Sequence, residues 1–138
     1  INIMTNVILN QHVINITILS LIMAFIDYFY LSAMGSFFNT IVTSIQGSPL
    51  KLKLLPTVIV YMFLVFQLYY FTIIGSNGKD FFKTILDAFL LGASTYGIYE
   101  YTNKAIFNKW TYAATLYDTV WGGVLFGTTT GVYRFIMG

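Results

Sequence analysis

The stretch YEYTNKAIFNKWTYAATLYD, residues 99–118, closes one long apolar segment and opens the next. Glu100 stands in the last turn of the first segment and Asp118 in the second turn of the other, with a short polar and aromatic connection between them. A carboxylate in that position is expensive. Even lenient insertion scales put a charged residue at the centre of a bilayer helix at about 2.5–3.5 kcal/mol. The surrounding chain has to explain why the acids are there.

Composition sets the solvent. Of the 138 residues, 57% are hydrophobic and 9% are charged, and the mean hydropathy is +0.75. Water-soluble domains carry about 25% charged residues. This chain lacks the polar side chains to wet its own surface, so lipid is the expected surroundings. Seven Lys/Arg against five Asp/Glu give a net charge of +2, without a basic run or a phosphate-gripping glycine loop. Nucleic-acid binding is therefore not expected. There is no cysteine, and His12 is the single histidine, which excludes a histidine- or cysteine-built zinc site.

A helix crosses the hydrocarbon core with about 20 apolar residues. Four segments qualify, over about 13–34, 54–75, 84–103 and 113–135. The first is expected to be retained, because it has no basic leader and no small-residue cleavage site. Between the first two spans, SFFNTIVTSIQG puts Phe37, Phe38, Ile41, Val42 and Ile45 on one helical face, with hydroxyl and amide side chains opposite. That pattern predicts a separate short interfacial helix over about 36–46, ended by Gly47 and Pro49. The fold class expected is an all-α, multi-pass, four-transmembrane-helix bundle forming a single domain. Basic residues near the span ends lean weakly, Lys51, Lys53, Lys104 and Lys109 against Lys79, Lys83 and Arg134, toward a cytoplasmic location for the connections after spans one and three.

On this topology Asp27, Glu100 and Asp118 fall at similar depth near one face, on three different helices, and Asp87 stands apart near the other. Gly92, Tyr96, Glu100 and Asn103 form one stripe of the third span, and Asp118, Trp121, Gly122 and Leu125 share a face of the fourth. Asn103, Tyr96, Tyr99, Tyr117 and Trp121 are the expected donors to the acids, with Lys104 and Lys109 as counter-ions snorkelling back. Gly123, Gly127 and Gly131 form a small-residue packing stripe on the fourth span, beside Gly92 and Gly122. Tyr28, Tyr30, Tyr69, Tyr70, Tyr112 and Trp110 suit interfacial aromatic belts.

The stretch YGIYEYTNKAIFNKWTYAATLYDTVWGGVL, residues 96–125, resembles an uncharacterised membrane-protein family, domain of unknown function 2177. Members pair a tyrosine–acid–x–Thr–Asn segment with an Asp-x-x-Trp-Gly segment, matched here by Tyr99, Glu100, Thr102 and Asn103, then Asp118, Trp121 and Gly122. Asp27 matches a first-helix aspartate. Glu100 replaces the usual aspartate, and Tyr30 stands where tryptophan is common. The resemblance implies bacterial or large-DNA-virus relatives and an all-helical membrane fold, and it implies no activity.

No nucleophile–base set and no cofactor ligands stand out, so a non-enzymatic role is expected. The leading expectation is a structural or accessory component of a larger membrane assembly. Its partners would be the lipid bilayer, bound lipid and other membrane chains. The alternative is a small proton- or cation-coupled transporter or channel using the same acids. An aspartyl dyad of Asp118 and Glu100 has less support, because the partner Gly-x-Gly-Asp motif of intramembrane aspartyl proteases is absent.

Overall fold

The computed structural model describes residues 2–76 and 78–138. Four helices account for nearly all of them: α1 over Ile3–Gln46, α2 beginning at Leu54–Gln67, α3 over Phe81–Ile106 and α4 over Tyr112–Met137. Among the described residues there is no strand. Local sequence signals mark most helix ends. Asn2 caps α1, Asp80 accepts from the N–H groups of Phe82 and Lys83 at the start of α3, and Thr111 accepts from Ala114 N at the start of α4. Gly47 closes α1 in the left-handed conformation, φ 76°, with its N–H on Thr43 O.

One expectation is corrected. The separate interfacial helix does not exist: residues 36–46 continue α1 without a break. One interior glycine, Gly35, costs a helix only about 1 kcal/mol. The amphipathic face that suggested an interface instead packs on protein. Ile41 is buried against Trp110 and Ala114, with Phe37, Phe38, Val42 and Ile45 around them. At 1.5 Å per residue the 44-residue α1 is about 66 Å long, twice the thickness of a hydrocarbon core. The second span is present as expected, but α2 is not regular to its end. It passes into a π-helical stretch over Leu68–Ile73 and a final 3₁₀ turn over Ile74–Ser76. Such π segments are rare and interrupt the regular ladder.

Packing is tightest between α3 and α4. A Cβ built on Gly92 would stand 2.1 Å from Gly122 O, and one on Gly122 would stand 2.5 Å from Gly92 O. The two backbones therefore touch, which only glycine permits. Gly123 is covered by the Phe89 ring, whereas Gly127 and Gly131 meet Ile85 only at ordinary contact distance. The closest approach thus lies at Gly122, on the face shared with Asp118, and not along the Gly123–Gly127–Gly131 stripe. The core beneath joins Leu19 and Met23 of α1, Leu64, Val65 and Leu68 of the second helix, Ala88 of α3, and Leu125 and Phe126 of α4. Outside it, large apolar side chains face outward along every helix, among them Leu21, Phe63, Leu90 and Val132. Ile3–Gln46 and Leu54–Ser76 are each long and apolar enough to cross a membrane.

Candidate functional site: a carboxylate and aromatic network

The acids are buried where the helices converge. Asp27 is 4% exposed and Glu100 1%, and Asp118 is half-buried. Asp27 follows Leu19 and Met23 at four-residue steps, so the stripe that seats α1 in the core ends in a carboxylate. Its Oδ1 accepts the Trp121 indole N–H of α4 at 2.8 Å, and its Oδ2 accepts the Tyr61 hydroxyl of α2. Asp118 Oδ1 accepts the Tyr30 hydroxyl of α1 at 3.0 Å. Glu100 Oε2 accepts the Trp110 indole N–H, from the connection between α3 and α4, at 2.7 Å.

Three aromatic contacts join these bonds into one network. Tyr30 and Trp121 stack face to face, with ring centroids 4.5 Å apart and planes 4° apart. Phe38 sits between Tyr30 and Trp110, at 6.5 Å and 6.3 Å. Glu100 and Asp118 line the same cavity. Glu100 Oε1 meets no donor among the described residues.

The cavities around the acids are separate and adjoining, not one shared pocket. Glu100 and Asp118 line one of about 270 Å³ with Tyr30, Phe38 and Trp110, under Leu50 and Leu52 of the 47–53 connection. Asp27 lines another of about 440 Å³, with Tyr61, Tyr96, Lys51 and Lys53. Leu31 and Leu52 border both. The connection is held back over α1 by the Leu50 N–H, which donates to Asn39 Oδ1 at 2.8 Å.

Several expected partners lie elsewhere. Tyr96 makes none of these hydrogen bonds; its ring covers Gly122 and meets Phe126 edge-on. Tyr99 is largely exposed; it borders the cavity of Glu100 and Asp118 and makes none of these hydrogen bonds. Tyr117 is exposed and packs on Phe37. The counter-ions also differ from expectation. Lys109 Nζ donates to Ser44 O at 2.9 Å, and Lys104 lies over the Tyr112 ring. Among the described residues the ion pairs are Lys79 and Lys83 with Asp87, away from the acid network.

Three donors were missed: Tyr61, Tyr30 and Trp110. Tyr61 offered the clearest signal, a hydroxyl inside the apolar run VIVYMFLVF, where a buried phenol needs a partner. His12 was missed in the same way. Its Nδ1 lies 2.6 Å from Tyr69 Oη, which ties the N-terminal half of α1 to the π segment at the opposite end of the bundle.

Residues 12–134 match the family described as Predicted membrane protein (DUF2177). The chain belongs to that family. The match runs through all four helices and every acid of the network. No curated protein matches the chain, and no solved structure does. In this DUF2177 membrane protein the Tyr–acid–x–Thr–Asn segment supplies a buried acid, Glu100, together with a surface pair, Tyr99 and Asn103. The Asp-x-x-Trp-Gly segment supplies an acid, a donor to another acid, and the glycine at the tightest helix contact.

Proposed function

We propose that this chain is a multi-pass, non-enzymatic membrane protein, a structural or accessory component whose helices are locked at one end by the carboxylate and aromatic network. The observation that carries this reading is the origin of the donors. Asp27 of α1 is held from α2 and α4, Asp118 of α4 from α1, and Glu100 of α3 from the α3–α4 connection. Each acid satisfies hydroxyl or indole donors that would otherwise be unpaired in apolar surroundings. Such polar bonds register helices that have no hydrophobic drive to associate in lipid. The 26-residue α3 and α4 are about 39 Å long, enough to cross, and they present Leu86, Leu90, Ile98, Leu116 and Val120 outward. With all four helices crossing, the broad apolar outer surface is available to lipid and to neighbouring membrane chains.

A second reading, a small proton- or cation-coupled transporter or channel, is favoured by one feature. Among the described residues the Glu100–Asp118 pair has no ion-pair partner, and it borders a cavity. Purified protein in proteoliposomes separates the two. The locking role predicts no acid-dependent flux of protons or monovalent cations, and reduced stability in Asp118→Asn and Glu100→Gln. Flux that these two substitutions abolish, with stability retained, would replace the first reading by the second.

A further inference from the structure

At the end of the bundle away from the acid network lies a polar cavity of about 510 Å³. Gln11, His12 and Asn15 of α1 line it with Tyr69, Tyr133 and Arg134, and among the described residues no aspartate or glutamate does. Arg134 is half-buried, its guanidinium tied to Thr84 Oγ1 at 2.8 Å and set over the Phe81 ring. Among the described residues it has no ion-pair partner. Asp87 takes Lys79 and Lys83, and Asp80 takes the Phe82 and Lys83 N–H groups. Unlike a carboxyl group, a guanidinium does not escape its charge by exchanging a proton. Tyr133, 5% exposed, also lines the cavity, and its hydroxyl makes no hydrogen bond among the described residues. This end offers a fixed positive charge and idle donors to an anion.

An apolar cavity of about 570 Å³ adjoins it at Tyr69. Along α1, His12 of the polar cavity begins a series at four-residue steps, and its next members, Ile16, Ser20 and Ala24, line the apolar one. Val58, Met62 and Val65 line it from the second helix. Tyr69 belongs to the π stretch, and His12 Nδ1 lies 2.6 Å from its hydroxyl, which fixes the ring where the polarity changes. From Gln11 to Ala24 the groove runs about 20 Å, somewhat more than the ~15 Å of hydrocarbon in one leaflet. A charged head space above an apolar groove one leaflet deep has the form of a phospholipid. A phosphate also has the oxygens to accept from Arg134 and from the amide and hydroxyl donors beside it.

We propose that this groove between α1 and the second helix holds one phospholipid, its phosphate at Arg134 and one acyl chain along Ile16, Ser20, Ala24 and Val65. The site rests on the multi-pass reading above, which puts Gln11 and Arg134 at headgroup level. It does not depend on what the acid network does.

Native mass spectrometry of the delipidated chain released from neutral-detergent micelles tests it, with dioleoyl phosphatidic acid as the probe. One tightly held lipid per chain is expected. Dioleoylglycerol, which has the chains without the phosphate, should bind about tenfold more weakly or worse, the scale of one charge-assisted hydrogen bond. Inorganic phosphate should not displace the lipid. Arg134→Gln should weaken binding by a similar factor. Because Arg134 also bonds Thr84, Ala24→Trp supplies a second variant: Ala24 is exposed and lines the groove, so an indole there blocks the chain's path and leaves Arg134 in place. Leu90→Trp, on an outward face of α3, should bind like the parent chain. Graded binding of several lipids, equal retention of dioleoylglycerol, displacement by inorganic phosphate, or undiminished binding in Arg134→Gln or Ala24→Trp would each overturn the site. Failure of the multi-pass reading would register separately, in the sidedness of engineered cysteines, which lipid counting does not touch.

Discussion

Tyr30 and Trp121 lie flat against each other across the α1–α4 contact, and each holds an acid of the other's helix: Tyr30 bonds Asp118, and Trp121 bonds Asp27. The reciprocal arrangement makes the stack the hinge of the network. Disturbing one ring loosens both carboxylates. Tyr30→Leu and Trp121→Leu should therefore be coupled. Stacked aromatic pairs contribute about 0.5–1.5 kcal/mol beyond area burial, and the shared acids add to it. A double-mutant cycle on reversible unfolding in mixed micelles measures the coupling, and simple additivity would mean that the stack transmits nothing.

Asp27 accepts two donors that have no other partner among the described residues. Asp27→Ala leaves the Tyr61 hydroxyl and the Trp121 N–H unpaired, at about 1–3 kcal/mol each. Removing a donor as well should then help. Adding Tyr61→Phe to Asp27→Ala is expected to regain part of the lost unfolding free energy, because replacing both partners of a buried bond is far milder than replacing one. A further loss in the double variant would show that the tyrosine serves some other contact.

The glycines of α4 should not be equivalent. Gly122→Ala drives a methyl into Gly92 O and the Tyr96 ring, and Gly92→Ala drives one into Gly122 O. Overpacking of this kind typically costs about 1–3 kcal/mol, and a contact with backbone leaves little room to relax. Gly127→Ala meets Ile85 at 3.7 Å and should leave the thermal midpoint unchanged or raise it. Equal effects at Gly122 and Gly127 would contradict the close backbone contact.

The chain has no cysteine, so single-cysteine labelling reads topology cleanly. If all four helices cross, Ser48→Cys and Asn108→Cys should react with a membrane-impermeant maleimide from one side of the membrane and Lys79→Cys from the other. Labelling of Lys79→Cys and Asn108→Cys from the same side would rule out a crossing by α3.

Much of the helical content was legible because its signals are local. The Gly47 and Pro49 stop and the long apolar runs act within a few residues. The clustering of acids on α1, α3 and α4 was legible for a related reason. Depth along a helix follows from counting residues at a fixed rise, so Asp27, Glu100 and Asp118 could be set near one end before any packing was known.

Other features escaped a local reading. Residues 36–46 have an apolar face, and a face alone does not say whether lipid or protein will cover it; Trp110 and Ala114 do so. The π stretch over Leu68–Ile73 follows no evident residue pattern. Lys104 and Lys109 lay near the acids in sequence, yet a ring and a backbone carbonyl claimed them.

By itself the sequence determined a lipid-facing, all-helical membrane chain of the DUF2177 family, with costly carboxylates grouped toward one end. Tertiary structure alone decided who holds them. The choice of Tyr61, Tyr30, Trp110 and Trp121 depends on how far each helix is rotated and slid against its neighbours. Between α3 and α4 the backbones meet at Gly92 and Gly122, a contact between residues thirty positions apart that no short-range periodicity encodes.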